Sequence, residues 1–439
     1  MSDPPVDHTI TNGERSPLLQ RESHHIESNR KYYSLAKTAA YGVSIVVFLV
    51  VFITLCFYYE RIGDAIGGLP TDPEKAAKLL LQGSPVIDGH IDLPILVRYA
   101  FANNASAVDL EKPTQGHVDI PRLREGHVGG FFWSVYVGCP TEAGEDYLNA
   151  TWRVRDTLEQ IDITKLLISK YSGTFELALS SAHIKSALAR RKIASLIGIE
   201  GGHQLGNSIA VLRQMHALGV RYVTLTHICH NAFADSCGYL PGIIPRWGGL
   251  SPLGKTLVRE MNRLGVLVDL SHTSDDTARQ AISHSLAPVI WSHSSSRAVH
   301  DVPRNVPDDI LKLIGIGAGK KDAVVMVNFA PQFVADPGQA NVSAVADHVE
   351  HIAAIAGKKH VGLGSDFDGI ESTPEGLEDV SKYPALRMGK SELEGLTGRN
   401  LLRVMAGAER VAYELQAAGT EPSYELYDKR SDIPRQGEL

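Results

Sequence analysis

Two hydrophobic regimes divide the chain. Residues 38–59 form a run of 22 without a charge, enough at about 1.5 Å per residue to cross a hydrocarbon layer roughly 30 Å thick. This pattern predicts a transmembrane helix. The late start, and the absence of a small-residue cleavage site around Tyr58-Tyr59-Glu60-Arg61, argue against a cleaved signal peptide. Beyond it, short apolar runs of strand length alternate with longer stretches of helical period. The strand-like runs are 86–92, 130–137, 194–200, 221–227, 266–272, 289–293, 323–329 and 360–366. Helix-like stretches between them include 208–218, 252–264, 275–285 and 343–356, several opened by Ser or Asp at capping positions. Eight strands with interleaved helices predict an α/β fold, a (β/α)8 TIM-like barrel behind an N-terminal transmembrane helix. The expected organisation is a tail over 1–37, the membrane helix over 38–59, a stalk over 60–74, the barrel over 75–418 and a polar C-terminal tail over 419–439.

Charge orients this arrangement. Arg15, Arg21, Arg30, Lys31 and Lys37 precede the apolar run and only Arg61 follows it closely, which places the amino terminus in the cytoplasm. The expectation is a single-pass type II membrane protein with an extracytoplasmic barrel. Sequons at Asn104, Asn149 and Asn341 all fall on that side and are read as glycosylation positions. The tail segment Glu14-Arg-Ser-Pro-Leu-Leu19 resembles an acidic dileucine sorting signal; cell surface and vacuolar or endosomal lumen both stay open.

Composition narrows the function classes. With 44% hydrophobic and 21% charged residues the chain has material for a large core, and 43 Lys and Arg against 50 Asp and Glu, a net charge of −7, exclude a nucleic-acid partner held by a basic surface. Four cysteines without a C-x-x-C pair exclude a disulfide scaffold, a zinc ribbon and a thioredoxin-type motif.

The polar residues at the run ends carry the candidate chemistry. The first run delivers His90 and Asp92, and the others contribute Glu200, His227, His272, His293 and Asp366. Barrel enzymes place catalysis at those strand ends. His90 and Asp92 share one face of a strand by their i, i+2 spacing and can reach one cation. Imidazoles and carboxylates together suit a borderline metal such as zinc, and their number suits two ions. Two zinc ions about 3.5 to 4 Å apart share a carboxylate and a hydroxide, and their chemistry is hydrolysis.

The segments Asp88-Gly-His-Ile-Asp-Leu-Pro94, Gly198-Ile-Glu-Gly-Gly-His203, Tyr222-Val-Thr-Leu-Thr-His227, Val268-Asp-Leu-Ser-His272, Trp291-Ser-His-Ser-Ser295, Arg304-Asn-Val-Pro-Asp-Asp309 and Gly364-Ser-Asp-Phe-Asp-Gly369 together resemble the membrane (renal-type) dipeptidases of the amidohydrolase superfamily. The resemblance covers nearly the whole segment after the stalk. It implies a dizinc peptidase acting on dipeptides through a metal-bridging hydroxide, with His90 and Asp92 on one zinc, His272 and His293 on the other, and Glu200 bridging. It further implies that His227 polarises the scissile carbonyl, that Arg304 holds the substrate carboxylate and that Asp366 moves the proton to the leaving amine. Some members tolerate a D-residue at the second position. Cys139 and Cys229 match positions joined by a disulfide in relatives, leaving Cys237 free and Cys56 in the membrane helix. Animal members carry a C-terminal lipid, whereas this chain has an N-terminal helix, so their homodimerisation stays open here.

Several neighbours carry a plainer reading. His203 reads as a core hydrogen-bonding residue, with contact to a metal ligand as the rival. His230 stands at H-x-x-H spacing from His227 but lacks the zincin glutamate. Asp88 and Asp368 read as turn or supporting residues, and the Gly-rich loop 238–249 as a surface loop near the site, with a lid as the rival. Two other functions compete: a barrel hydrolase of acylated amino acids or lactones, and a silent surface receptor that retains the scaffold.

Overall fold

A computed structural model of the chain describes residues 17–57, 70, 72–139, 151–239, 242–386 and 395–429. It divides into two units, 1–71 and 72–439. In the first, a single helix runs Pro17–Phe57, and within it Lys31–Thr54, with mean hydropathy 2.1 and no residue buried, is long and apolar enough to cross a membrane. Most of the expected stalk, the sequon at Asn149 and residues 430–439 lie outside the described residues.

The second unit is a parallel barrel. Its strands are β1 (Val86–Ile91), β2 (Val128–Tyr136), β3 (Phe175–Leu177), β4 (Ile193–Glu200), β5 (Val220–Thr224), β6 (Leu267–Asp269), β7 (Val289–Trp291), β8 (Ala323–Val327) and β9 (Val361–Leu363). Eight of them pair in the order β1-β2-β4-β5-β6-β7-β8-β9. A bridge between Ile91 and Phe367 brings the last edge back to the first, reinforced by Asp92 N donating to Phe367 O at 2.8 Å and Asp366 N to His90 O at 3.0 Å. The ninth strand, β3, is an addition to the expected eight: it takes up the first half of one edge of β4, at Ile193 to Ser195, before β5 pairs from Ile197 onward.

Side chains alternate as a closed sheet requires. Phe132, Leu196, Tyr222, Leu267, Ile290, Val324 and Met326 form one buried cluster, with Leu401, Val404 and Met405 of the last helix, Asn400–Ala417. Their strand neighbours Phe131, Trp133, Ile197, Val223, Val268 and Val325 belong to a second cluster with the apolar faces of the surrounding helices, including Leu257 and Val258 of Pro252–Leu264 and Val345 and Val349 of Val342–Ala356. The helices begin where capping side chains accept free backbone N–H groups: Ser251 Oγ from Gly254 N at 2.9 Å, Ser274 Oγ from Thr277 N at 3.2 Å. Asn341 of the third sequon also serves as a cap, accepting from Ala344 N at 3.0 Å, and the exposed Asn104 caps a short turn, accepting from Ser106 N at 3.0 Å. The polar tail is docked at its start: Ser423 N donates to Glu260 Oε2 at 3.1 Å, and Tyr427 is buried.

Candidate metal centre

Several strands end early, and His227, His272, His293 and Asp366 stand on turns just beyond them, while His90 and Glu200 lie at strand ends. Tyr136 and Glu200 close β2 and β4 side by side; His227, His272 and Asp366 each lie three residues past a strand, and His293 two. Two of these positions hold a left-handed backbone, His272 at φ 62° and Asp366 at φ 68°, a conformation side-chain-bearing residues adopt rarely and at a cost. Close approach is enforced at Gly369, where a Cβ would collide with Asp92 Oδ2 and stand 2.8 Å from Asp366 Oδ1.

Glu200 is the centre of the arrangement. Its Oε1 lies 3.0 Å from His272 Nε2, 3.2 Å from His293 Nε2, 3.7 Å from His90 Nε2 and 3.8 Å from His227 Nε2. His90 Nε2 also meets Asp92 Oδ2 at 3.1 Å and Asp366 Oδ1 at 4.0 Å. All seven residues from the strand ends thus converge. A cavity of about 510 Å³ opens above them, lined by Asp92, Glu200, His227, His272 and Asp366 and walled by Ile95, Tyr99, Tyr136, Ile228, Tyr239 and Phe333.

The electrostatics describe a pocket short of positive charge. Burial pushes Glu200 well above the usual carboxylate range and Asp366 up to about 7. Burial works against a charged His90, yet Asp92 and Glu200 beside it hold it up to about 10. Burial pushes His227, His272 and His293 well below 6.5, leaving neutral imidazoles with lone pairs to offer. Asp92 Oδ1 is buried without a hydrogen-bond partner, and His90 Nε2 meets only carboxylate and imidazole groups of the centre. Recruited protons and an orphaned carboxylate oxygen at one point are what a divalent cation would relieve, and this set of nitrogens and oxygens fits one or two such ions.

Residues 74–419 match the sequence profile of the membrane dipeptidases, Peptidase family M19. The chain belongs to the membrane dipeptidase family. It is 45% identical over 370 residues to an uncharacterised dipeptidase of Schizosaccharomyces pombe, covering 81% of this chain and 88% of that one. Among solved structures it resembles a Rhodobacter sphaeroides metallopeptidase bound to a phosphinate mimic of L-Ala-D-Ala, at 26% identity and TM-score 0.64 over 74% of this chain and 99% of that one. It also shares the fold of a probable dipeptidase from Pseudomonas aeruginosa, at 21% identity and TM-score 0.69 over 78% and 100%. As a member of this family it is a metallopeptidase of dipeptidase type.

Around the dipeptidase centre lie supports that the sequence pattern did not mark. Asp269 accepts from Thr224 Oγ1, Ser271 N and Ser292 N, and Ser292 Oγ donates to its Oδ2 at 2.6 Å while meeting His293 Nδ1 at 2.7 Å. Tyr222 Oη meets His90 Nδ1 at 2.8 Å from below, and its ring fits only because residue 198 is glycine. Asn328 Nδ2 donates to Asp366 Oδ2 at 2.9 Å. Asp269 and Asn328 stood in view inside apolar runs; a lone polar residue in such a run is the signal that could have exposed them.

The remaining candidates divide. Cys139 and Cys229 form a disulfide beside His227, with Cys139 Sγ 3.9 Å from His227 Nδ1, and Cys237 is free and buried. His203 Nε2 donates to Val137 O at 2.8 Å, the core hydrogen bond expected, and His230 meets Ile244 O at 2.9 Å and Asp235 at 3.2 Å in the neighbouring loop. Asp88 ties β1 to the end of β9 by accepting from His90 N, Ser365 N and Tyr383 Oη. Asp368 accepts from His117 N and lines the cavity. Arg304 is buried beside Phe333, with Nη1 donating to Ser294 Oγ at 2.8 Å.

Proposed function

We propose that the chain is a zinc-dependent dipeptidase anchored by its N-terminal helix with the barrel outside the cytosol. The observation that carries the metal assignment is Glu200 Oε1, which faces the Nε2 atoms of His90, His227, His272 and His293 within 3.8 Å. His90 and Asp92 would hold one zinc, His272 and His293 the other, and Glu200 both. Bound there, the pair supplies a water acidic enough to be a nucleophile near neutral pH.

The chain's own groups do the rest. His227, at the cavity edge, stabilises negative charge as it develops on the scissile carbonyl oxygen. Asp366 takes a proton from the attacking water and delivers it to the leaving amine; Asn328, bound to its Oδ2, leaves Oδ1 to face the centre. Arg304 recognises the terminal carboxylate, for which a planar guanidinium is suited. The walls Tyr99, Tyr136 and Tyr239 contact the dipeptide side chains. A second residue of D configuration is included in the substrate range, in keeping with the mimic bound by the Rhodobacter relative. The lumenal disposition is supported by the 24-residue apolar helix and by the disulfide, a bond suited to an oxidising compartment.

Hydrolysis of a dipeptide panel by the full chain in detergent, before and after chelation, tests this reading. Activity lost on chelation and restored by zinc supports it; activity that survives complete removal of metal overturns it.

A further inference from the structure

Arg304 poses a problem that the dipeptidase reading alone does not solve. Only 6% of the residue is exposed, and its Nε and Nη2 are buried with no hydrogen-bond partner. A guanidinium left with two dry, unpaired donors is costly unless a ligand completes it. Phe333 stands beside it: the guanidinium carbon lies 5.5 Å from the ring centroid, and Phe333 lines the cavity whereas Arg304 is buried. Tyr239, 59% exposed at the mouth, meets the Phe333 ring edge-on with centroids 6.4 Å apart. The backbone beneath the ring is fixed, because Asn305, next to Arg304, donates from Nδ2 to Phe333 O at 2.8 Å. Only the side chain is left to move.

We propose that Phe333 is a specificity-determining cover that keeps Arg304 dry until the substrate carboxylate turns the ring aside. The inference rests on the dipeptidase reading and adds how the free carboxylate is selected. In a water-free recess the attraction between guanidinium and carboxylate is screened far less than in water, so an incoming carboxylate gains strongly there and a neutral amide does not. Phe333 does not touch the reacting atoms; it acts through Arg304 and is a positioning residue.

The test compares wild type with Phe333→Ala and Phe333→Leu on one dipeptide with a free carboxyl terminus and on its C-terminal amide. Phe333→Ala is expected to shrink the preference for the free acid about tenfold, through KM and with kcat nearly kept, the size of one solvated charge contact. Phe333→Leu, which restores an apolar cover, is expected to recover most of it. Phenylglyoxal, read by peptide mass mapping, is expected to label Arg304 faster in Phe333→Ala than in wild type. A purely structural loss would lower both substrates alike and leave the ratio unmoved, and that outcome, or unchanged labelling, overturns the inference while the dipeptidase reading stands. Equal cleavage of acid and amide by wild type overturns the carboxylate role of Arg304 and the cover with it; no cleavage of any dipeptide overturns both readings.

Discussion

His272 Nε2 and His293 Nε2 face each other at 3.1 Å, each beside Glu200 Oε1. The proton of His293 is fixed on its other nitrogen, because Ser292 Oγ has committed its own hydrogen to Asp269 and can only accept from Nδ1. His293 Nε2 therefore presents a lone pair to the centre, the form a metal requires. Ser292→Ala removes this control while leaving every candidate ligand in place. It should weaken metal retention by about 10- to 100-fold, measured by titrating activity against a zinc buffer; unchanged zinc dependence would show that the hydroxyl serves packing only.

Asp366 is expected to act on protons, so its loss should appear in kcat. Asp366→Asn should lower kcat by about 10²- to 10⁴-fold while KM changes little. Asn328→Ala, which frees Asp366 Oδ2, should reproduce a smaller part of that loss. Steady-state kinetics decide: a large rise in KM with kcat intact would reassign Asp366 to binding.

His203 makes stability depend on pH. Burial pushes it down to about 4, against an unfolded value near 6.5. Its neutral form is favoured in the fold, so its contribution is complete above about pH 6.5 and is lost as the pH falls from there to about 4, by on the order of 3 kcal/mol. Urea unfolding at a series of pH values on metal-free protein, for wild type and His203→Gln, isolates this group from the other buried histidines. The two curves should converge toward acid; parallel curves would contradict the assignment.

The fold was largely legible because the barrel strands are apolar runs, six of the eight predicted runs ending in a histidine or carboxylate, as in Ile197-Gly-Ile-Glu200. What escaped has local causes. β3, Phe175–Leu177, lies in no longer apolar run, unlike the equally short β6, β7 and β9, and it pairs with the half of a β4 edge that β5 leaves free. The strand-like run 221–227 overshoots its strand, which ends at Thr224; His227 sits on the turn, where no ladder requires an alternating pattern. The convergence of His90, Glu200, His272 and His293 could be expected from their positions at strand ends, since barrel closure gathers such ends. The place of Arg304 could not: it follows no strand directly, and its burial beside Phe333 involves a contact between segments about thirty residues apart in sequence.

Glu200 is proposed to join two metal positions, and elemental analysis of the purified full chain, wild type against Glu200→Gln, reads this out. About two zinc ions per wild-type chain are expected, with a clear loss of metal and of dipeptide hydrolysis in a Glu200→Gln protein that still folds. A folded wild type nearly free of metal, or a Glu200→Gln variant with full metal content and full activity, would contradict it.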